Sequence, residues 1–134
     1  MNKVTGSIVV VLVLMLALAG CNQNVQQTLC PGLDTLTGGV DQLANVRAEA
    51  TTKDLKTALA KVDPAIQAVR TANRALNLQP VTDLLSSYDK MAASINARPD
   101  DAPIAGETAD QLRSDLANVQ AALDEAKTKL NCAR

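Results

Sequence analysis

Four carboxylates gather around one proline-bearing stretch of this 134-residue chain: Asp100, Asp101, Glu107 and Asp110. A cluster of that kind invites a calcium reading. The order lacks the alternating spacing of a calcium loop, however, and Pro99 and Pro103 stiffen the backbone that would have to wrap the ion. A solvated loop followed by an acidic first helical turn accounts for the same residues. Ser86, Ser87 and Ser114 are the hydroxyls to weigh as nucleophiles. The chain has no His, and no Lys stands at a spacing that suggests activation, so they read as surface hydroxyls. Arg70, Arg74 and Arg98 would suit an anion, or are ordinary surface charges. No catalytic, metal-binding or cofactor-binding residue is expected, and no cofactor. The chemistry-bearing residues that remain are three cysteines, Cys21, Cys30 and Cys132.

Cys21 closes the run Leu18-Ala19-Gly20-Cys21. Before it, Ile8 to Ala19 carry no polar side chain, and Lys3 is the one cation ahead of them. At ~1.5 Å per residue this run spans about 18 Å, short of the ~30 Å of a bilayer core, but it fits the apolar region of a secretory signal. The arrangement resembles the lipobox of bacterial lipoproteins, Leu-(Ala/Ser)-(Gly/Ala)-Cys, at every position. The resemblance implies cleavage between Gly20 and Cys21, acylation of the Cys21 sulfur and usually of the new amino group. Two or three acyl chains give the stable membrane hold that one does not. Asn22 follows the cysteine, and by the same resemblance the outer membrane, facing the periplasm, is favoured over the inner. The resemblance covers residues 1–21; the remainder resembles no particular family.

Export to an oxidising compartment makes the other two cysteines a disulfide pair. A Cys30–Cys132 bridge would close a loop of about 100 residues, which a chain-entropy account values at up to ~4.7 kcal/mol. Free thiols or an intermolecular bridge are the alternatives. Composition narrows function further. The formal net charge is −1, and loss of residues 1–20 removes Lys3 and no other charge. No basic patch argues for nucleic acid. Tyr88 is the only aromatic residue, which disfavours sugar platforms and single-strand grooves built on stacking.

The elements that would position these residues are helices. Residues 1–20 form the signal, and residues 21–32 the acylated cysteine with a polar tether that ends at Cys30-Pro31-Gly32. Residues 33–134 form the folded domain. Leu33, Leu36, Val40, Leu43, Val46 and Ala50 step by three or four, one face of a helix; Gly38-Gly39 weakens that segment and allows a start delayed to Asp41. Thr51-Thr52-Lys53-Asp54 reads as a cap. Leu55, Leu59, Val62, Ile66, Val69 and Leu76 then make a ladder whose phase runs through Asp63-Pro64. One kinked helix from about 52 to 78 is expected, with two collinear helices as competitor. Asn73 fills the remaining step, either as a register-setting polar residue or at the bundle edge. Val81, Leu84, Leu85, Tyr88, Met91 and Ile95 follow Gln79-Pro80. Residues 96–106 form the one substantial loop, and Leu112, Leu116, Val119, Leu123, Ala126 and Leu130 the last ladder. Four positions of the second helix match four of the last at a constant offset, as a duplicated hairpin or any two heptad helices would.

The cysteines set the helix count. Antiparallel helices alternate ends, so Cys30 and Cys132 meet only after an even number of passes. Three passes would leave them roughly 35 to 40 Å apart, against the ~6 Å a disulfide needs. The expected fold is therefore all-α, an antiparallel up-and-down four-helix bundle. A three-helix bundle with long kinked helices is the alternative. With catalytic residues lacking and helical faces plentiful, the expected function is a non-enzymatic, membrane-anchored envelope lipoprotein. It would act as a structural or adaptor module for another envelope protein, with no small-molecule substrate evident. The alternative is a small periplasmic protein holding an apolar ligand in its bundle core.

Overall fold

A computed structural model describes the backbone of residues 4–46 and 50–132 and the side chains of residues 24–46 and 50–132. Four helices follow in order: α1 (Val4–Ala44), α2 (Thr52–Leu76), α3 (Gln79–Asn96) and α4 (Glu107–Lys129). Among the described residues the packed pairs are α1 with α2, α2 with α3, α3 with α4, and α4 with α1; the diagonal pairs do not pack. This is an antiparallel four-helix bundle, not the three-helix alternative. The ladders face inward as their spacing requires. Leu33, Leu36, Val40, Leu55, Val62, Val69, Leu84, Met91, Val119 and Leu123 are all buried in one continuous core.

Helix ends are fixed by short-range chemistry. The Asp54 carboxylate accepts both the Thr51 N–H, at 2.8 Å, and the Thr51 hydroxyl, at 3.0 Å. One donor ahead of α2 is thereby satisfied, as a capping box requires. Pro64 lies inside α2 without dividing it. Its ring is on an exposed face, where water can take up the carbonyl a proline leaves without a donor. Asn77 ends α2 in the left-handed region, φ 49°, and Pro80 opens α3 in the first turn. Asn73 does not lie at the bundle edge. It is buried, its Oδ1 accepts the Leu78 N–H at 2.9 Å, and its Nδ2 donates to the Thr82 hydroxyl at 3.0 Å. One amide thus staples the α2–α3 turn.

The beginning of the bundle departs from expectation. Residues 22–32 do not form a tether: α1 is continuous through them, Leu29 is fully buried and Val25 packs on the core. The ladder of α1 extends backward by two steps, Val25 and Leu29, ahead of Leu33. Pro31 sits on the solvent side of the helix. An interior proline costs ~3 kcal/mol or more, and here it is offset by burial of Leu29 and Leu33 on the opposite face. Gly38-Gly39 does not delay α1 either. A Cβ on Gly39 would lie 2.8 Å from a Val62 methyl, and one on Gly32 would lie 3.0 Å from a Val69 methyl. These two glycines, seven residues apart on one face, let α1 approach α2 closely.

At the far end the loop before α4 lies across the start of α2. Thr52 donates its backbone N–H (3.0 Å) and its hydroxyl (3.1 Å) to the Ala102 carbonyl; the Lys53 N–H donates to the Asp100 carbonyl at 3.0 Å. Thr51 and Pro103 form an isolated antiparallel bridge, and Ile104, read as a loop residue, is buried as the last layer of the core.

Candidate functional site

Two ends of the bundle hold the residues singled out by their chemistry. At the end where α1 enters, Cys30 and Cys132 are disulfide-bonded with a Cα–Cα separation of 5.5 Å, as an even number of passes requires. Beside the bridge, the Gln26 side-chain amide donates to the Leu130 carbonyl at 3.2 Å and also reaches the Asn131 carbonyl at 3.5 Å. Gln26 thus serves carbonyls that the end of α4 leaves open. Lys127 Nζ lies 2.7 Å from Asp34 Oδ1, a second tie between α4 and α1. Cys21 falls within the backbone span of α1, and its side chain, with the lipobox, lies outside the described residues.

The four carboxylates sit at the opposite end and do not converge. Asp100 pairs with Lys56 at 2.7 Å, and Lys56 also donates to the Arg98 carbonyl at 2.8 Å. The Lys56 ammonium, by its hydrogen bond and then its charge, holds the Asp100 carboxyl below the usual carboxylate range. Asp110 pairs with Arg113 at 2.6 Å, while Asp101 and Glu107 are exposed. Among the described residues no three metal-ligating side chains come together. The Asp54 carboxyl is likewise held low, first by the Thr51 backbone N–H and then by the Thr51 hydroxyl.

The arginines and serines are scattered. Arg70 lies 2.7 Å from Asp89 and shares a shallow, open groove between α2 and α3 with Arg74, Ser86 and Lys90. Arg98 is at the distal end. Its Nη2 donates to the Thr108 hydroxyl at 2.6 Å, and its Nε is buried without a partner. Ser87 faces a different concavity, with Asp115 and Asn118, and Ser114 is exposed on α4. The structure therefore does not assemble the three arginines into one anion site, nor the three serines into one centre. Tyr88 is in the core, its hydroxyl 3.3 Å from Asp63 Oδ1. Burial, then the neighbouring Asp63 charge, raise its phenol above the ordinary range.

Residues missed by sequence reasoning are those with ordinary side chains in load-carrying places: Gln26, Leu29, Asn73 in its turn-stapling role, and Ile104. Val25 and Leu29 carried a readable signal, because they continue the three-four spacing of α1. Gln26 carried none, and Asn73 showed only its place on the ladder, since their roles depend on partners from other segments.

Fold and end chemistry together define an all-α, disulfide-closed four-helix bundle. The chain matches no protein-family description, no curated protein and no solved structure. Among the described residues no helix is long and apolar enough to cross a membrane.

Proposed function

We propose that this chain is a lipid-anchored lipoprotein of the bacterial envelope whose helical bundle works without catalysis, as a structural or adaptor module for another envelope protein. The observation that carries the reading is the run Leu18-Ala19-Gly20-Cys21, set directly ahead of a disulfide-closed bundle. A bridge from the first helix to the segment that follows the last suits an oxidising compartment, which agrees with export. The side chains that could do chemistry are dispersed or paired off, which supports a role by surface rather than by reaction. The outer membrane facing the periplasm is the favoured location, on the strength of Asn22 after the cysteine. The apolar-ligand alternative draws little support: the groove on Arg70 and Arg74 is open and charged, the ladders meet in a continuous core, and the apolar concavity beside Leu43, Ile104 and Leu116, about 120 Å³, is below the ~300 Å³ of ordinary ligand pockets.

Replacing Cys21 with Ser should move the protein from membrane to soluble fractions and block lipoprotein processing. A Ser variant that matures and stays membrane-bound as before would end the anchor reading. For the adaptor role, photocrosslinkers on the exposed faces of α3 and α4 in intact cells should capture one envelope protein reproducibly. A lipid-like molecule copurifying inside the bundle, with no protein captured, would favour the ligand-binding alternative.

A further inference from the structure

The end of the bundle that carries Cys30 is built differently from an ordinary helix-bundle end. Antiparallel register is set by Gly39 against Val62 and Gly32 against Val69. A further seven residues along each helix brings Val25 level with Leu76. Leu78 follows in the α2–α3 turn, and Leu130 lies beside Gln26 through the carbonyl that accepts its amide. Val25, Leu76, Leu78 and Leu130 therefore share this end, and all four are only partly buried. Around them Arg74 and Lys129 are exposed and have no ion-pair partner among the described residues. The nearby carboxylates are, but for one, engaged or set back. Asp34 is paired with Lys127, and Asp124 and Glu125 lie at least a turn further up α4; Asp83, bonded to the neutral Gln79 amide at 2.8 Å, keeps its charge and is the one carboxylate set against Arg74 and Lys129 here among the described residues.

What faces this end is decided by chain length. Only residues 22–24 separate Cys21 from Val25, and α1 is helical across them. Four helical steps span ~6 Å, and even a fully extended chain would reach only ~14 Å. The polar layer on each side of a bilayer's ~30 Å core is itself about 5–8 Å thick. Because residues 22–24 are helical, a lipid on Cys21 holds the end of the bundle within about the depth of that layer.

We propose that this end is a membrane-seating surface. Val25, Leu76, Leu78 and Leu130 rest in the headgroup layer of the bilayer that holds the lipidated Cys21, and Arg74 and Lys129 meet its anionic lipids. The inference rests on the lipid-anchor reading above. It replaces a swinging, tethered domain with one held upright, its Asp100 and Ile104 end pointing away from the membrane. Apolar area and cationic flanks are the two ingredients of interfacial binding.

The chain has no Trp, so an introduced indole reports alone. Leu78→Trp and, at the opposite end, Ala105→Trp are placed in the lipidated chain. Each is reconstituted in vesicles of phosphatidylethanolamine and phosphatidylglycerol carrying a quencher at the headgroup boundary. Seating predicts several-fold stronger quenching for Leu78→Trp than for Ala105→Trp. It also predicts that adding Arg74→Glu and Lys129→Glu weakens the Leu78→Trp quenching. Gln79→Trp, at an exposed position in the same turn, serves as the second probe if Leu78→Trp loses helicity. Equal, weak quenching at both ends while the chain still floats with the vesicles overturns the seating and leaves the anchor standing. A Cys21→Ser chain that floats equally well overturns the anchor itself, and the seating with it.

Discussion

Asn73 shows how much one side chain holds when its partners come from a turn. It serves the Leu78 N–H and the Thr82 hydroxyl while buried, and its own carbonyl accepts the Asn77 N–H at 2.6 Å. Asn73→Ala leaves the part-buried Leu78 N–H without its acceptor and should cost ~0.5–1.5 kcal/mol in denaturant unfolding; Thr82→Ala strands the buried Asn73 amide donor and should cost ~1–3 kcal/mol. At the other end Asp54 and Asp100 act as ionised acceptors. Both carboxyls have folded-state pKa values below the ordinary 3.8, Asp54 through Thr51 and Asp100 through Lys56. A depressed folded pKa contributes stability above the unfolded value, and that stability is lost as pH falls through the folded one. The melting temperature should therefore drop as pH is lowered from about 5 past 3.8. The drop should be shallower in Asp54→Asn with Asp100→Asn, and an unchanged acid limb in that variant would remove both residues from the account.

Among the elements, α1 and α2 depend on how closely their backbones approach. Gly38 and Gly39 are neighbours in sequence but have different surroundings. Nothing lies within 4 Å of a Cβ on Gly38, whereas a Cβ on Gly39 meets Val62 at 2.8 Å. Gly38→Ala should stabilise by up to ~1 kcal/mol through helix propensity alone. Gly39→Ala gains the same propensity but overpacks a tight contact, at a cost of ~1–3 kcal/mol, so its net effect should be destabilising. Combining it with Val62→Ala should recover part of the loss, a coupling that a double-mutant cycle measures directly. Equal effects of the two alanines would show that helix propensity, not the α1–α2 approach, governs both positions.

For the whole molecule the decisive link is the bridge between Cys30 and Cys132, 102 positions apart. Non-reducing mass measurement should find the chain two hydrogen atoms lighter than its reduced form. Reduction should lower stability by ~2–4 kcal/mol, because the bridge acts chiefly by restricting the unfolded chain. Far-UV circular dichroism should change little, since the ladders of all four helices remain buried. Loss of helicity on reduction would mean instead that the bridge holds the native packing itself. Gln26 and the Lys127–Asp34 pair also join α1 to α4, so the reduced bundle keeps other ties at this seam.

Residue types and spacing along the chain were enough for the all-α class, and for four passes once Cys30 and Cys132 are paired. Apolar residues at three-four spacing form helices wherever one face can be buried, and two cysteines at the ends of the domain, when bridged, demand an even number of antiparallel runs. Thr51 to Asp54 and Pro80 marked their helix starts through local chemistry that needs no distant partner. Tertiary structure alone decided where α1 becomes part of the body. Cys30-Pro31-Gly32 reads locally as a break, yet burial of Leu29 and Leu33, the bridge to Cys132 and the approach of Gly32 to Val69 outweigh the proline. The same holds for Gly39, Asn73 and Ile104. Each looks weak or incidental along the chain, and each is fixed by a neighbour from another helix or turn that spacing along one segment cannot reveal.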